Sequence, residues 1–324
     1  MNHESSRAAV LDLEPGRSEF LQEVLAGLSS QPRTLPCKFF YDQAGAALFQ
    51  RICELPEYYI TRTELQILQT HGPDMAAHLG AGIELIGLGT GAGTKTRILL
   101  EQLRDPAVYV PVDISSGQLA QSTELFHRLF PELEILAVCA DYLQPFRLPA
   151  ATRQATRRVV YFPGSTIGNF KPDAARDFLR RVALLSQAGG GLLIGVDLQK
   201  DHQVLERAYN DSQGVTAEFN LNLLARINRE LHADFDLRAW QHRAVYHSSA
   251  GRIEMNLISQ RDQVVRLDNR RFALEAGERI ITEFSYKHTP EGFAQLAGAA
   301  GFKLDKVWTD AENLFGVFYF TLPA

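Results

Sequence analysis

The chain has 324 residues, of which 45% are hydrophobic and 22% charged, with 33 Lys and Arg against 38 Asp and Glu for a net charge of -5. This length suggests two structural units, or one large domain with an insertion, and the ordinary hydrophobic content excludes disorder as the main state. The mildly acidic balance excludes a protein that grips nucleic acid by neutralising many phosphates, so the expected partner is a small molecule.

The start, MNHESSRAAVLDLEPGR, is polar, and no run of 18 apolar residues follows. A cytoplasmic protein that neither spans a membrane nor is exported is therefore expected. Residues 8–80 read as helical, with Leu21, Val24, Leu25 and Leu28 at helical spacing. Thr61 and Glu64 fit a capping box that opens a helix through Leu65, Ile67 and Leu68. The intervening KFFYDQAGAALFQRICELPEYYITRTE is rich in aromatic rings, and Pro56 bars one continuous helix through it. These rings either pack the helical cap onto the next unit or line a pocket. Cys37, Cys53 and Cys139 have no paired spacing, so neither a disulfide framework nor a zinc knuckle is expected. The histidines form no H-E-x-x-H cluster; His127, His232, His242, His247 and His288 read as surface or local hydrogen-bonding residues, and no metal is expected.

From Ile83 the texture changes to short apolar runs separated by amphipathic helices: IELIGL, VYVPVDI, LEILAV, RVVYFPG and GGLLIGVDL. Runs without strict alternation read as buried parallel strands of a doubly wound sheet. A long helical region from Asp201 to Leu231 follows, with Tyr209 read as lying at a helix start. Residues 238–287 then alternate as antiparallel strands, AVYHSS, RIEMNLIS, VVRLD and ERIITEFSYKH. A helix from Pro290 to Ala300 and two strands, KLDKVWT and FGVFYFTL, close the chain.

The first of the buried strands ends in Leu85-Ile86-Gly87-Leu88-Gly89-Thr90-Gly91-Ala92-Gly93-Thr94-Lys95-Thr96. Glycines there allow a sharp turn and close approach of a ligand to the main chain, and the following helix start offers free N–H donors. The loop also fits the G-x-G-x-x-A pattern of a dinucleotide site, so an NAD(P)-dependent oxidoreductase stays open on this motif alone. Asp113, at the end of the second strand, suits ribose hydroxyls in either case. Asp141, followed by Tyr142 after the third strand, suits an adenine amino group and ring. With the closing strand pair, this points by analogy of fold to a class I, Rossmann-like methyltransferase.

The stretches LPCKFFYDQAGAALF, LPEYYITRTE, GTKTR, VPVDIS, VCADY, FPGSTIGNF, RAYNDSQGVTAEFNLNLLARINRELHADFDL, RIEM and ITEFSYK occur in this order along nearly the whole chain. Together they resemble the histidine Nα-methyltransferases of ergothioneine biosynthesis, which convert L-histidine to its trimethylated betaine, hercynine. The resemblance implies that Gly89, Lys95, Asp113, Asp141 and Tyr142 contact S-adenosylmethionine. It implies that Asn169 and Tyr209 hold the carboxylate and amine of the amino acid, with Tyr41 and Gly164 close to them. Tyr58, Glu283 and Ser285 would face the imidazole, and Phe49 and Met255 would close the pocket. One departure stands out: Gly87 occupies a position where methyltransferases commonly carry an acid.

The residue types suit these roles. Strand period two puts Glu283 and Ser285 on one face, where a carboxylate and a hydroxyl can meet the two imidazole nitrogens. Outside that context Glu283 reads as a solvated strand charge, Met255 as core beside Ile253 and Leu257, Asn169 as a turn residue and Tyr209 as interlayer packing. Tyr41 and Asn169 are the expected catalytic pair, accepting hydrogen bonds from the amine as it loses a proton. The expected organisation is a helical cap (1–80) that shares in substrate binding, a cofactor domain (81–200 and 288–324) and a substrate-binding insert of helix and antiparallel strands (201–287), in a monomer. A relative acting on a tryptophan-like amino acid and a non-catalytic binding module are the remaining alternatives.

Overall fold

The computed structural model describes residues 11–13 and 16–324. The chain begins with strand β1 (Leu11–Leu13), helix α1 (Arg17–Ser29), strand β2 (Arg33–Thr34), a 3-10 turn (Cys37–Phe40) and helices α2 (Gln43–Glu54) and α3 (Tyr59–Leu79). Then come β3 (Glu84–Leu88), α4 (Thr94–Gln102), β4 (Val108–Asp113), α5 (Ser116–Leu129), β5 (Glu134–Ile135), β6 (Val138–Ala140) and β7 (Arg158–Phe162). A second 3-10 turn (Thr166–Asn169) leads to α6 (Pro172–Ser186), β8 (Gly191–Asp197), α7 (His202–Tyr209) and α8 (Val215–Leu231). The remainder is β9 (Trp240–His247), β10 (Arg252–Ser259), β11 (Gln263–Leu267), β12 (Arg270–Leu274), β13 (Arg279–Tyr286), α9 (Pro290–Gly298), β14 (Lys303–Thr309) and β15 (Phe315–Thr321).

The main sheet runs β1-β6-β4-β3-β7-β8-β15-β14, with β5 beside β4. All its neighbours pair in parallel except β15, which is antiparallel to both β8 and β14. Every residue of β3, β4 and β8 is buried, which is why these runs lack alternation. This is the class I methyltransferase order expected from the sequence. The chain leaves β3 towards β4 on one side and later returns to β7 on the other, so β3 marks the switch point where ligands of open α/β sheets bind.

A second, four-stranded sheet runs β2-β13-β10-β9, antiparallel except that β2 pairs in parallel with β13. It reaches the carboxyl edge of the main sheet at the end of β8 and at the second 3-10 turn. His288 donates its backbone N–H to the Asp197 carbonyl and accepts from Gln199. Gly168, in the second 3-10 turn, lies so close to β13 that a Cβ there would come within 2.8 Å of the Tyr286 carbonyl oxygen.

Several expectations change. Residues 8–10 and 14–15 of the expected helical cap lie outside the described residues, and Leu11–Leu13 is a strand parallel to β6 rather than helix. LEILAV splits into β5 and β6. The strand VVRLD pairs with β12 in a separate hairpin instead of joining the second sheet. Tyr209 ends α7 rather than starting a helix, because the chain breaks between Tyr209 and Val215. Thr61 and Glu64 form no capping box. The helix already starts at Tyr59, the Thr61 hydroxyl donates to Cys53 Sγ, and Glu64 points into the core.

Candidate active site

The glycine loop leaves β3 with Gly89, Gly91 and Gly93 at φ of 60°, 52° and 77°, a left-handed path that side chains disfavour. A Cβ on Gly89 would lie 3.3 Å from the Tyr142 ring, whereas one on Gly91 would meet nothing within 4 Å. Asp113 closes β4 with its carboxylate against the loop: Oδ2 accepts from Gly91 N–H and Oδ1 from Ser115 N–H, both at 3.0 Å. Burial raises its pKa, opposed by these backbone donors. Asp141 accepts from Leu143 N–H at 2.8 Å and from Lys38 Nζ at 3.1 Å. Beside it, Tyr142 meets Phe162 and Phe178 edge to face. An open glycine cradle, Asp113, and Asp141 with the Tyr142 ring thus share one edge of the sheet.

Glu64, fully buried on α3, ties this loop to the next strand end. Its carboxylate holds Lys95 Nζ at 2.5 Å and accepts from the N–H of Gly164 at 2.9 Å, just past β7.

The second sheet supplies the other wall. Glu283 and Ser285 share a face of β13, with Met255 paired opposite Glu283 at a β-bulge. Bulges of this kind re-aim side chains beside functional sites. Met255 is buried. The rings of Tyr41, Phe49, Tyr58 and Tyr209 form a chain of edge contacts at 5.5, 6.2 and 6.2 Å. Burial pushes Glu283 up to about 7, with the Lys287 charge opposing it. Burial, and next the Glu283 charge, raises Tyr41 well above the usual phenol range and takes Cys37 to about 12. Cys37, Tyr41 and Glu283 nevertheless keep some accessible surface. Asn169, which ends the second 3-10 turn, lies beside the Cys37 thiol and opposes the rise.

A buried ionic network adjoins these residues. Ser285 Oγ and Tyr209 OH are 2.8 Å apart, and Lys287 Nζ reaches them at 2.7 and 3.0 Å. The same ammonium pairs with Asp197 Oδ2 at 2.7 Å, at the end of β8. Asp197 also accepts from Tyr59 OH at 2.8 Å and Lys200 Nζ at 2.5 Å. Burial lowers Lys200 to about 8.

Residues 20–322 match the family described as "Histidine-specific methyltransferase, SAM-dependent". The chain is 41% identical over 318 residues to the histidine N-alpha-methyltransferase of Mycolicibacterium smegmatis, covering 96% of this chain and 98% of that one. It is 40% identical over 310 residues to the protein of the same name from Mycobacterium tuberculosis, covering 94% and 95%. The chain belongs to the SAM-dependent, histidine-specific methyltransferase family. A more distant similarity, 29% over 322 residues and 93% of each chain, is to a 4-dimethylallyltryptophan N-methyltransferase of Arthroderma benhamiae.

In this methyltransferase the departure at Gly87 has a packing reason. A Cβ there would fall 2.6 Å from Thr90 Cγ2 and 3.2 Å from the Tyr109 ring, so the Tyr109 phenol fills the space an acid would need. The dinucleotide reading of the loop falls with family membership.

The structure brings the expected cofactor residues Gly89, Asp113, Asp141 and Tyr142 to one edge, with Lys95 turned onto Glu64. Tyr41, Phe49, Tyr58, Tyr209, Met255, Glu283 and Ser285 gather on the other side, with Asn169 and Gly164 between the two groups. Tyr209 and Ser285, assigned to opposite ends of the amino acid by resemblance, form one hydrogen-bonded pair. His242 fixes Tyr209 from behind: Nε2–H donates to the Tyr209 carbonyl and Nδ1 accepts from Asn220, each at 2.8 Å.

Sequence reasoning missed Lys287, Asp197, Glu64 and Lys38. Lys287 had a signal, since it continues the period-two face of Glu283 and Ser285. Asp197 had another, as a lone acid closing an apolar strand. Among the described residues, no group of three or more His, Cys, Asp and Glu could hold a metal ion, and no helix is long and apolar enough to cross a membrane.

Proposed function

We propose that the protein transfers methyl groups from S-adenosylmethionine to the α-amino nitrogen of L-histidine, three times over, giving hercynine, a step of ergothioneine biosynthesis. The observation that carries this reading beyond family membership is that Glu283 shares a strand face with Ser285, whose hydroxyl bonds Tyr209 at the end of the chain of aromatic rings. An acceptor and a donor side by side suit a ring with two nitrogens.

The residues present fit the cofactor. Gly91 leaves open space, Asp113 and Asp141 each keep spare acceptor lone pairs, and Tyr142 offers a ring face near Gly89. S-adenosylmethionine, when bound, supplies a methyl group already activated on sulfonium sulfur. The chain's own task is therefore to aim an amine lone pair and exclude water. Three protons leave as three methyl groups arrive. Tyr41 stays a neutral phenol because burial raises it, so it holds the amine by its oxygen lone pair without acting as a phenolate base. Asn169 offers an amide oxygen beside it, and Gly164 brings its backbone close without a side chain. The rings of Phe49 and Tyr58 offer faces to the increasingly methylated cation.

On this reading α1 to α3 and the second sheet together form the amino acid pocket. The enzyme acts as a cytoplasmic monomer on a free amino acid, without nucleic acid. The test is mass spectrometry of L-histidine incubated with the protein and S-adenosylmethionine. Three added methyl groups on the α-nitrogen are expected; turnover of tryptophan or tyrosine in preference to histidine would overturn the substrate.

A further inference from the structure

The Lys287 ammonium has three N–H donors and three close acceptors: Asp197 Oδ2, Ser285 Oγ and Tyr209 OH. The lysine side chain and Asp197 are both fully inaccessible to solvent. Burial disfavours the lysine charge, but Asp197 outweighs it and raises the lysine on balance. All three protons are thus committed, and both hydroxyl oxygens accept from the lysine. Between them the hydroxyls hold two protons, and one is spent on the 2.8 Å bond that joins them. One proton is left, and it cannot point back at an ammonium. Glu283 lies two residues before Ser285 on the same face of the strand, which puts an acceptor side by side with this donor.

We infer that Lys287, anchored by Asp197, is a positioning residue that turns the Ser285–Tyr209 pair into a hydrogen-bond donor for a ring nitrogen lone pair, so that the pocket selects a ring with one N–H and one accepting nitrogen. The inference rests on the histidine reading above and adds to it the form of the ring that is bound. An imidazolium, with two N–H groups, would leave the spare hydroxyl proton facing another proton. An indole offers no second nitrogen to receive it. A site built around a buried donor rejects ligands that lack the matching acceptor more strongly than apolar packing can.

The experiment compares L-histidine with 2-fluoro-L-histidine, whose ring nitrogen is a much weaker acceptor in nearly the same shape. Wild type is expected to favour histidine in kcat/KM by about tenfold or more. Lys287→Met should raise the KM for histidine about tenfold and erase that preference, leaving the KM for S-adenosylmethionine unchanged. Because Lys287→Met strands a buried carboxylate, the double variant Lys287→Met/Asp197→Asn is measured beside it, with melting curves to establish folding. A folded variant that keeps the wild-type preference overturns the inference. A measurement on wild type alone bears on it equally: ¹⁵N spectra of bound, ring-labelled histidine should show one protonated and one accepting nitrogen, and two protonated nitrogens would overturn it. Wild type that methylates another amino acid but not histidine overturns the histidine reading itself, an outcome distinct from either of these.

Discussion

Glu64 and Lys95 meet at 2.5 Å between the second turn of α3 and the start of α4, the helix that follows the glycine loop. The same carboxylate receives the N–H of Gly164, so one buried acid fixes two loops at the carboxyl edge of the sheet. Removing one partner of a buried pair leaves the other uncompensated, at about 3–5 kcal/mol. Glu64→Ala should lose stability on that scale by urea denaturation. Glu64→Gln keeps an acceptor for Gly164 and should cost about 1–3 kcal/mol. It releases Lys95 and should weaken S-adenosylmethionine binding about tenfold by calorimetry. Unchanged cofactor affinity would show that Lys95 needs no anchor.

Gly87→Ala places a methyl group against Thr90 and the buried Tyr109 ring. Overpacking of this kind costs about 1–3 kcal/mol. The nearest contact is a Thr90 methyl group, so Thr90→Ser in the same chain should recover part of the loss in a melting experiment. No recovery would place the conflict at Tyr109.

Glu283 gives a pH signature. Its folded pKa of about 7 lies above an unfolded value of about 4.3. Its contribution to stability is therefore full at low pH and is lost as pH rises from about 4.3 through about 7. Of the groups that face it, Cys37, Tyr41, Tyr58 and Tyr209 are raised by burial and stay neutral over that range, and Lys287 stays charged. Glu283→Gln should remove about 1–2 kcal/mol of this pH dependence between pH 5 and 8, measured by denaturation. The KM for histidine in wild type should fall as pH rises through about 7, when the carboxylate becomes able to accept from the ring. A Glu283→Gln profile that keeps this limb would assign it to the free amino acid alone.

The two halves of the site should separate in binding assays. Glu283→Ala is expected to weaken histidine binding about tenfold or more with little change for S-adenosylmethionine, and Asp113→Ala to do the reverse. Equal losses of both ligands in each variant would mean that the positions serve folding.

Much of this was legible because it is local. The apolar runs at Leu85, Val110 and Leu193 are buried on both faces, and burial on both faces writes itself into the sequence. Asp113 and the Glu283–Ser285 face follow from strand ends and strand period. What escaped depends on partners far along the chain. Glu64 looked like a cap because Thr61 stood three residues before it, while its true partners, Lys95 and Gly164, come from other elements. Lys287 gains its role from Asp197, across an ion pair that no spacing rule reveals. The pairing of Thr34 with Ile281 likewise joins the N-terminal cap and the antiparallel insert in one sheet, where the sequence showed only that both share in substrate binding.

The reversed strand β15 has a consequence for how the chain matures. It fills the slot between β8 and β14 with six buried residues, from Phe315 to Phe320, yet it is synthesised only after α7 to α9 and β9 to β14 have followed β8. Until then β8 presents an unpaired apolar edge, the kind of surface that recruits strands from other chains. Chaperone demand and aggregation losses during synthesis should therefore concentrate in the interval between the appearance of Asp197 and that of Thr321.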